Sequence, residues 1–290
     1  MNSEIESRHL RALIAVADEG TFTDAAITLG VSQSAMSRTL IQFEQIVGVT
    51  LVRRTTRTLS LTPAGLACYP AAVDALRALE AVGDAATGRI RPLRIGYSWA
   101  AFGRHTTAIL RAWRAAHPEQ PVEVHRIDER TAGLRNGAVD LAVIRSALTD
   151  PTLHERMLFV EGRLAAVPTG HPLAGIANVS LAQLAGETLA WTPTIGTTTL
   201  DLWEPGAGPV RTVEVDNVDE WLTVIAAGDA VGLTPESTSF THSHPGVRFR
   251  PVQDVPPVSV RLAWPRVSPH PAVEIFADLA RNVVENGELI

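Results

Sequence analysis

The sequence has no lysine at all, so its 25 Lys and Arg positions are all arginine. Arginine is the planar, always-charged fork that fits base edges and phosphates. Against 31 acidic residues it nevertheless leaves a net charge of −6, so any nucleic-acid contact has to be local to one small domain. Cysteine is nearly absent: Cys68 stands alone, which excludes an intrachain disulfide and a multi-cysteine metal site. No run of roughly 18 uncharged apolar residues is present to span a membrane. The opening MNSEIESRHL lacks the basic-then-apolar order of a secretory leader, so a cytoplasmic protein without a membrane partner is expected. Neither GxSxG nor GxxxxGK occurs. Of the nine histidines, His105, His117 and His171 read as surface or helix-end residues, and His242 and His244 in HSHP have no third ligand at metal spacing. No metal, cofactor or catalytic nucleophile is expected.

What is present is a 290-residue chain, 46% hydrophobic, enough for more than one core. Ser7 reads as the cap of a first helix with Leu10, Leu13, Ile14 and Ala17 on one face, ended by Gly20. Thr23 caps a short second helix, DAAITL, and Gly30 stops it. Ser32 caps a third, reaching about Val47 with an apolar stripe of Met36, Leu40, Phe43 and Val47. Two short helices joined across a glycine turn are the helix-turn-helix pattern. On the third helix Gln33 and Ser37, and Ser34 and Arg38, lie one turn apart and away from Met36 and Leu40. A recognition helix needs that division, although the solvated face of an ordinary core helix has it too. VTLVRRTTRTLSLTP is rich in threonine and valine, and RTLSLT alternates, which predicts a small hairpin.

From Ala64 the chain is alanine-rich, with Leu66, Tyr69, Val73, Leu76, Leu79 and Val82 at helical spacing. Pro70 predicts a bend there, or a helix start near it. The apolar face needs cover, and a second copy of the chain is the simplest candidate. GDAATGRIRP reads as a joint. Beyond Pro92 strands alternate with helices: LRIGYS, then a helix in FGRHTTAILRAWRAAHP, the strand VEVHRI, a helix in ERTAGLRNGA, and the strand VDLAVI. A second unit starts near Gly162, with strands RLAAVP, ETLAW, VRTVEV and AVGLT and a helix in DNVDEWLTVIAAG, and PVSVRLAWP and a C-terminal amphipathic helix follow. Two such α/β halves predict mainly parallel sheets and a ligand cleft between them.

The segment from LRALIAVADEG through FEQIVGVTLVRR to LSLTPAG closely resembles the N-terminal winged helix-turn-helix of LysR-type transcriptional regulators. The fixed points are Ala25–Ala26, VSQSAMSR, FEQIVGVTLVRR and LSLTPAG; Val52 and Thr21 depart from the usual phenylalanine and serine. The rest of the chain fits the same pattern, so the resemblance covers essentially all of it. It implies an α/β protein with an N-terminal all-α winged helix-turn-helix and a two-lobed, periplasmic-binding-protein-like effector domain. The expected boundaries are 1–62 for the DNA-binding domain, 63–91 for a dimerising linker helix and hinge, and 92–290 for the effector domain. Within the last, lobe one is 92–161 plus 266–290 and lobe two is 162–265.

Carried over residue by residue, the resemblance implies that Gln33, Ser34, Ser37 and Arg38 meet the major groove of double-stranded promoter DNA. Ser32 serves mainly as a cap with a phosphate contact, and Arg53, Arg54 and Arg57 form the wing; the lesser alternative is that Arg53 or Arg54 is structural, Arg54 by pairing with an acidic residue inside the domain. A homodimer or homotetramer and RNA polymerase are the expected protein partners. For the cleft, strand ends place Ser98, Trp99 and Ala100 near a helix mouth, with Arg145 and Ser146 beside them. Thr197 and Thr198 would head a helix, and Thr234 and Pro235 end another strand. The alternative is that the threonines are caps and Arg145 pairs with an acid. VDLAVIR, DPTLHERMLFVEGRLAAVPTGHPLA and GLTPEST resemble regulators of aromatic-compound degradation, in which an arginine matching Arg145 helps bind the signal. Ala100 and Glu129 depart from that branch, replacing serine and threonine. The expectation is therefore a small organic effector with a carboxylate, and otherwise no cofactor. The alternatives are an effector-independent regulator, a redox sensor acting through Cys68, or, more remotely, a solute-binding protein or enzyme built on the lobes.

Overall fold

α1 (Ser7–Glu19) starts from a cap one residue earlier than expected. Glu6 and His9 form a reciprocal cap in which the Glu6 N–H donates to His9 Nδ1 at 3.0 Å, so Ser7 is a helix residue. In α2 (Phe22–Thr28) the cap is Thr21 rather than Thr23, because the Thr21 Oγ1 stands where it accepts the Asp24 N–H at 3.0 Å. Gly30 then takes φ +65°, a left-handed turn that a β-carbon would oppose, and delivers the chain to Ser32. Ser32 Oγ accepts the Ala35 N–H at 3.2 Å and starts α3 (Gln33–Val47), as expected. Met36, Leu40 and Phe43 on α3 are buried with Leu13 and Val16 of α1 and Ala25 and Ala26 of α2.

The computed structural model describes residues 5–54, 59–193 and 195–287, in two units: 1–91 with 135–138, and 92–134 with 139–290. In the first unit the wing is β1 (Val52–Arg54) paired antiparallel with β2 (Leu59–Leu61), Arg53 opposite Ser60. Arg57 and the side chain of Arg54 lie outside the described residues. The wing is tied to α3 by one carboxylate: Glu44 Oε1 accepts the N–H of Leu51 at 2.8 Å and of Val52 at 3.1 Å. Glu44→Ala leaves both donors without it and is expected to lower stability by about 1–3 kcal/mol. The midpoint of urea unfolding measures this, and an unchanged midpoint would show that water replaces the carboxylate at no cost.

α4 (Pro63–Thr87) is capped by Thr62, whose Oγ1 accepts the Gly65 N–H at 3.1 Å, and Pro63 sits in the first turn where its missing N–H is harmless. The helix passes through Pro70 without restarting, so the alternative start near Pro70 is not found. Its first half is committed to the core of the first unit: Tyr69, Ala72 and Val73 are buried, and the Tyr69 hydroxyl donates to Asp18 Oδ1 at 2.5 Å. Further along, Leu79 and Val82 stand 54% and 67% exposed.

The second unit contains β3 (Leu93–Tyr97), α5 (Thr106–Ala116), β4 (Val122–Arg126), β5 (Leu141–Ile144), β6 (Leu153–Glu161), β7 (Arg163–Pro168), α6 (Leu181–Ala185), β8 (Thr188–Trp191), β9 (Arg211–Glu214), α7 (Val218–Ala227), β10 (Val231–Pro235), α8 (Ser237–Thr241), β11 (Val247–Val252), β12 (Val258–Pro265) and α9 (Val273–Gly287). One sheet has the order β4-β3-β5-β12-β6 and the other β9-β8-β10-β7-β11. In each, two parallel pairings are followed by two antiparallel ones, about β12 in the first sheet and β7 in the second, so the sheets are mixed rather than mainly parallel.

Two corrections follow from this order. β12 belongs to lobe one, between β5 and β6, where Val260, Leu262 and Trp264 are buried with Trp113 and Phe276. The return from lobe two therefore comes before Val258, not after 265. The helix expected in ERTAGLRNGA is instead a run of turns, with Ala132, Gly133 and Gly137 at positive φ. The chain changes lobe twice, at Gly162 between β6 and β7 and again between β11 and β12.

Candidate DNA-contacting helix and interlobe pocket

α3 has two unlike faces. Met36, Leu40 and Phe43 are buried, whereas Gln33, Ser34 and Arg38 are exposed and Ser37 is half-buried. Phe43 stacks on the buried His9 ring at 5.8 Å, which fixes α3 against α1. On the exposed side Ser32 Oγ and Ser34 Oγ are 3.1 Å apart, and Arg38 Nε donates to the Ser34 carbonyl at 3.2 Å. That is a weak, solvent-facing tether, and the Arg38 side chain remains exposed. Arg53 on the wing is exposed as well. A rigid apolar back with a polar front at the N-terminal end of the second helix has the geometry for reading a major groove.

The interlobe region is built differently from the sequence expectation. Arg145, after β5, is a structural tie. Its side chain and that of Glu161 are each 6% exposed, and Arg145 Nε donates to Glu161 Oε1 at 2.8 Å. Its other nitrogens donate to the Ala100 carbonyl and, at 3.1 Å, to Ser237 Oγ. The Ser237 N–H donates to the other oxygen of Glu161 at 2.7 Å, and the Ser237 hydroxyl donates there too. Burial pushes the Arg145 guanidinium below its ordinary range, while the charge of Glu161 pushes it back up. Arg145 thus has its guanidinium committed to lobe one and to the first residue of α8, not presented to a ligand.

Glu129 also has a local task. Its carboxylate accepts from the N–H of Thr131 at 3.0 Å and of Gly133 at 3.1 Å, and from the Thr131 hydroxyl at 2.7 Å. These bonds hold the turn that replaces the expected helix. Ser98 and Ser146 are half-buried and line neither of the pockets described next.

The remaining expected residues do converge. Trp99, Thr197, Thr198, Thr234 and Pro235 line one deep pocket with Trp191, Trp221 and Leu233. The helix expected at Thr197 and Thr198 is only a three-residue 3-10 turn, Leu200–Leu202, begun by Thr199. Arg163 holds the Thr197 segment from behind: its Nη2 donates to the Thr197 carbonyl at 3.0 Å and its Nη1 to Thr197 Oγ1 at 3.3 Å. Thr198 Oγ1 donates to the Leu233 carbonyl at 2.6 Å. The free space in this pocket is about 20 Å³, room for one water and far below the ~300 Å³ of a ligand site. Ligand-sized space lies at the cleft mouth, an open groove of about 540 Å³ lined by Tyr97, Ala100, Arg104, Arg126, Phe240 and His242 among others. Arg126 there is paired with Asp128 at 3.0 Å and Asp219 at 3.5 Å. Arg104 has its Nε on His105 Nε2 at 3.2 Å.

Sequence reasoning missed Glu161, Ser237 and Thr238. A usable signal was present: Glu161–Gly162–Arg163 puts opposite charges on both sides of a glycine at a lobe crossing, a place where charges are buried in pairs. His242 Nε2 lies 3.2 Å from the Trp99 carbonyl, and the His244 Nδ1 accepts the Gly246 N–H at 3.1 Å. Among the described residues no group of three metal-ligating side chains is found. Burial pushes the Cys68 thiol above its ordinary range, which lowers its thiolate fraction.

Comparison with known proteins places both units. Residues 7–66 match the bacterial regulatory helix-turn-helix protein, lysR family, and residues 86–285 match the LysR substrate binding domain. The chain is 32% identical over 279 residues to the uncharacterised HTH-type transcriptional regulator YnfL of Escherichia coli, covering 90% of this chain and 93% of that one. It is 29% identical over 248 residues to the HTH-type transcriptional regulator BenM of Acinetobacter baylyi, 81% of each. Its fold resembles that of CbnR, a LysR family transcriptional regulator, with a TM-score of 0.63 and 24% identity over 96% of this chain and 99% of that one. No helix among the described residues is long and apolar enough to cross a membrane. The chain belongs to the LysR family: it is a DNA-binding transcriptional regulator with an N-terminal helix-turn-helix and a two-lobed effector-binding domain.

Proposed function

We propose that this regulator reads a two-fold symmetric promoter site through paired copies of α3 and that a small organic effector bound between the lobes resets it. The observation that carries the first part is the division of α3, with Gln33, Ser34 and Arg38 exposed opposite a fully buried Met36, Leu40 and Phe43. Gln33 and Ser34 take base edges, Ser37 and Arg38 follow the groove and a phosphate, and Ser32 caps. Arg53, with Arg54 and Arg57, holds the backbone across the wing. Exposed Leu79 and Val82 on α4 support pairing of that helix with a second copy, which brings two α3 helices to one duplex. Pairs of dimers then form a tetramer in the cytoplasm, and its altered DNA grip presents or withholds RNA polymerase. The chain carries out no catalysis on this reading.

For the effector, a carboxylate cannot rest on Arg145, whose guanidinium is committed to Glu161, Ala100 and Ser237. The cation available to an acid at the cleft mouth is Arg104, which has no carboxylate partner among the described residues. Selection from randomised duplexes tests the DNA reading. Enrichment of interrupted palindromes bound by an even number of copies is expected. Enrichment of a single asymmetric half-site bound by a monomer would contradict it.

A further inference from the structure

Trp99 is carried by lobe one, directly after β3, yet its ring is buried in the core of lobe two. It is 7% exposed and packs with Ala166, Ala190, Ile195, Val215 and Trp221, all of lobe two. The ring meets Trp221 edge-on, with centroids 5.7 Å apart and planes at 78°, the favoured geometry for two aromatics. Its Nε1–H donates to Thr238 Oγ1 at 2.8 Å, and that oxygen lies 2.6 Å from Thr234 Oγ1. Thr238 is fully buried. Of the hydroxyls expected to greet an effector, Thr234 is therefore already linked, through Thr238, to a residue of the chain itself. Trp191 lines the same pocket, whose remaining space is about 20 Å³, and its indole nitrogen is buried with no partner among the described residues. That donor is left without an acceptor, and the pocket is otherwise closed around one indole.

We infer that Trp99 is a tethered occupant of an aromatic subsite in lobe two, and that the free ligand this subsite takes is a planar aromatic with a hydrogen-bond donor on its ring edge. The inference rests on the interlobe reading above and names the chemistry of its deep end. A small aliphatic acid would find neither a free cation nor room there. A planar aromatic that displaces Trp99 would keep the contact with Trp221, give its donor to Thr238 and find the Trp191 N–H ready for an acceptor group. The groove at the cleft mouth, which Trp99 also lines, gives such a ligand a way in.

Trp99→Ala opens the subsite, and indole is the probe. Calorimetric titration of the full-length variant is expected to show saturable 1:1 indole binding, at least about tenfold tighter than to the wild type. 1-Methylindole, which has no donor, should bind about tenfold more weakly than indole. A folded Trp99→Ala that binds indole no better than the wild type, or that binds both probes alike, overturns the inference. A measurement on the wild type stands even if that variant fails to fold: the Trp99 indole N–H, assigned by its loss in Trp99→Phe, should exchange slowly with solvent. Fast exchange of that proton would overturn the inference by itself. The effector reading is judged separately, by whether small organic molecules alter the wild-type DNA complex, so either idea can fail without the other.

Discussion

Arg145→Ala is expected to destabilise the effector domain by about 3–5 kcal/mol, because it strands a buried carboxylate. Glu161 is as deeply buried as Arg145; the remaining Ser237 donors carry no charge, and Arg163, which also feels the Glu161 charge, spends its donors on Pro256 and Thr197. The Ala100 carbonyl loses its donor in the same step. The physical origin predicts an unusual pattern in a double-mutant cycle. Replacing both charges, as in Arg145→Met with Glu161→Leu, removes the stranded charge and should cost less than Arg145→Ala alone. Urea unfolding of the full chain measures both. A loss below about 1 kcal/mol for the single variant would mean that water reaches Glu161 and that the pair behaves as a surface ion pair. The same result would return Arg145 to the list of residues able to meet an acidic effector.

Phe43→Ala is expected to cost a similar amount, about 3–5 kcal/mol, in the first unit. Phe43 is fully buried, and its ring fills the space between α3 and the His9 side chain. Removing it deletes the surface on which α3 is seated. Amide exchange in residues 33–47 should rise and specific DNA binding should disappear, while amides in β3, β5 and β12 keep their protection. Equal loss of protection in both units would contradict the separate cores.

The helix-turn-helix was legible because each local signal there agrees with the packing. Ser32 as a cap, the Met36–Leu40–Phe43 stripe and the LSLTP hairpin all describe interactions within a few residues. The two missed caps erred by one or two positions for the same reason: in Glu6 and Thr21 the acceptor that wins is set by exact backbone geometry. The missed strands β6 and β11 are both sheet edges, and their mixed charged and apolar residues read as connections. β12 read correctly as a strand, but its sheet depends on where the chain crosses back, which no local pattern records. The pocket was half legible. Strand ends brought Trp99, Thr197, Thr198, Thr234 and Pro235 together. That Arg145 faces Glu161 and that Trp99 lies in the other lobe's core are pairings across 16 and more than 100 residues, set only by the folded arrangement.

The most direct measurement is the ratio of affinities for the selected duplex and for a scrambled one, taken across a salt series. For Gln33→Ala combined with Ser34→Ala, the ratio should fall about tenfold or more toward one, with scrambled binding little changed. Arg53→Ala should weaken both duplexes alike and flatten the salt slope by about one, the signature of a lost phosphate contact. If the α3 variant loses both duplexes in equal measure and keeps its ratio, α3 does not read the bases.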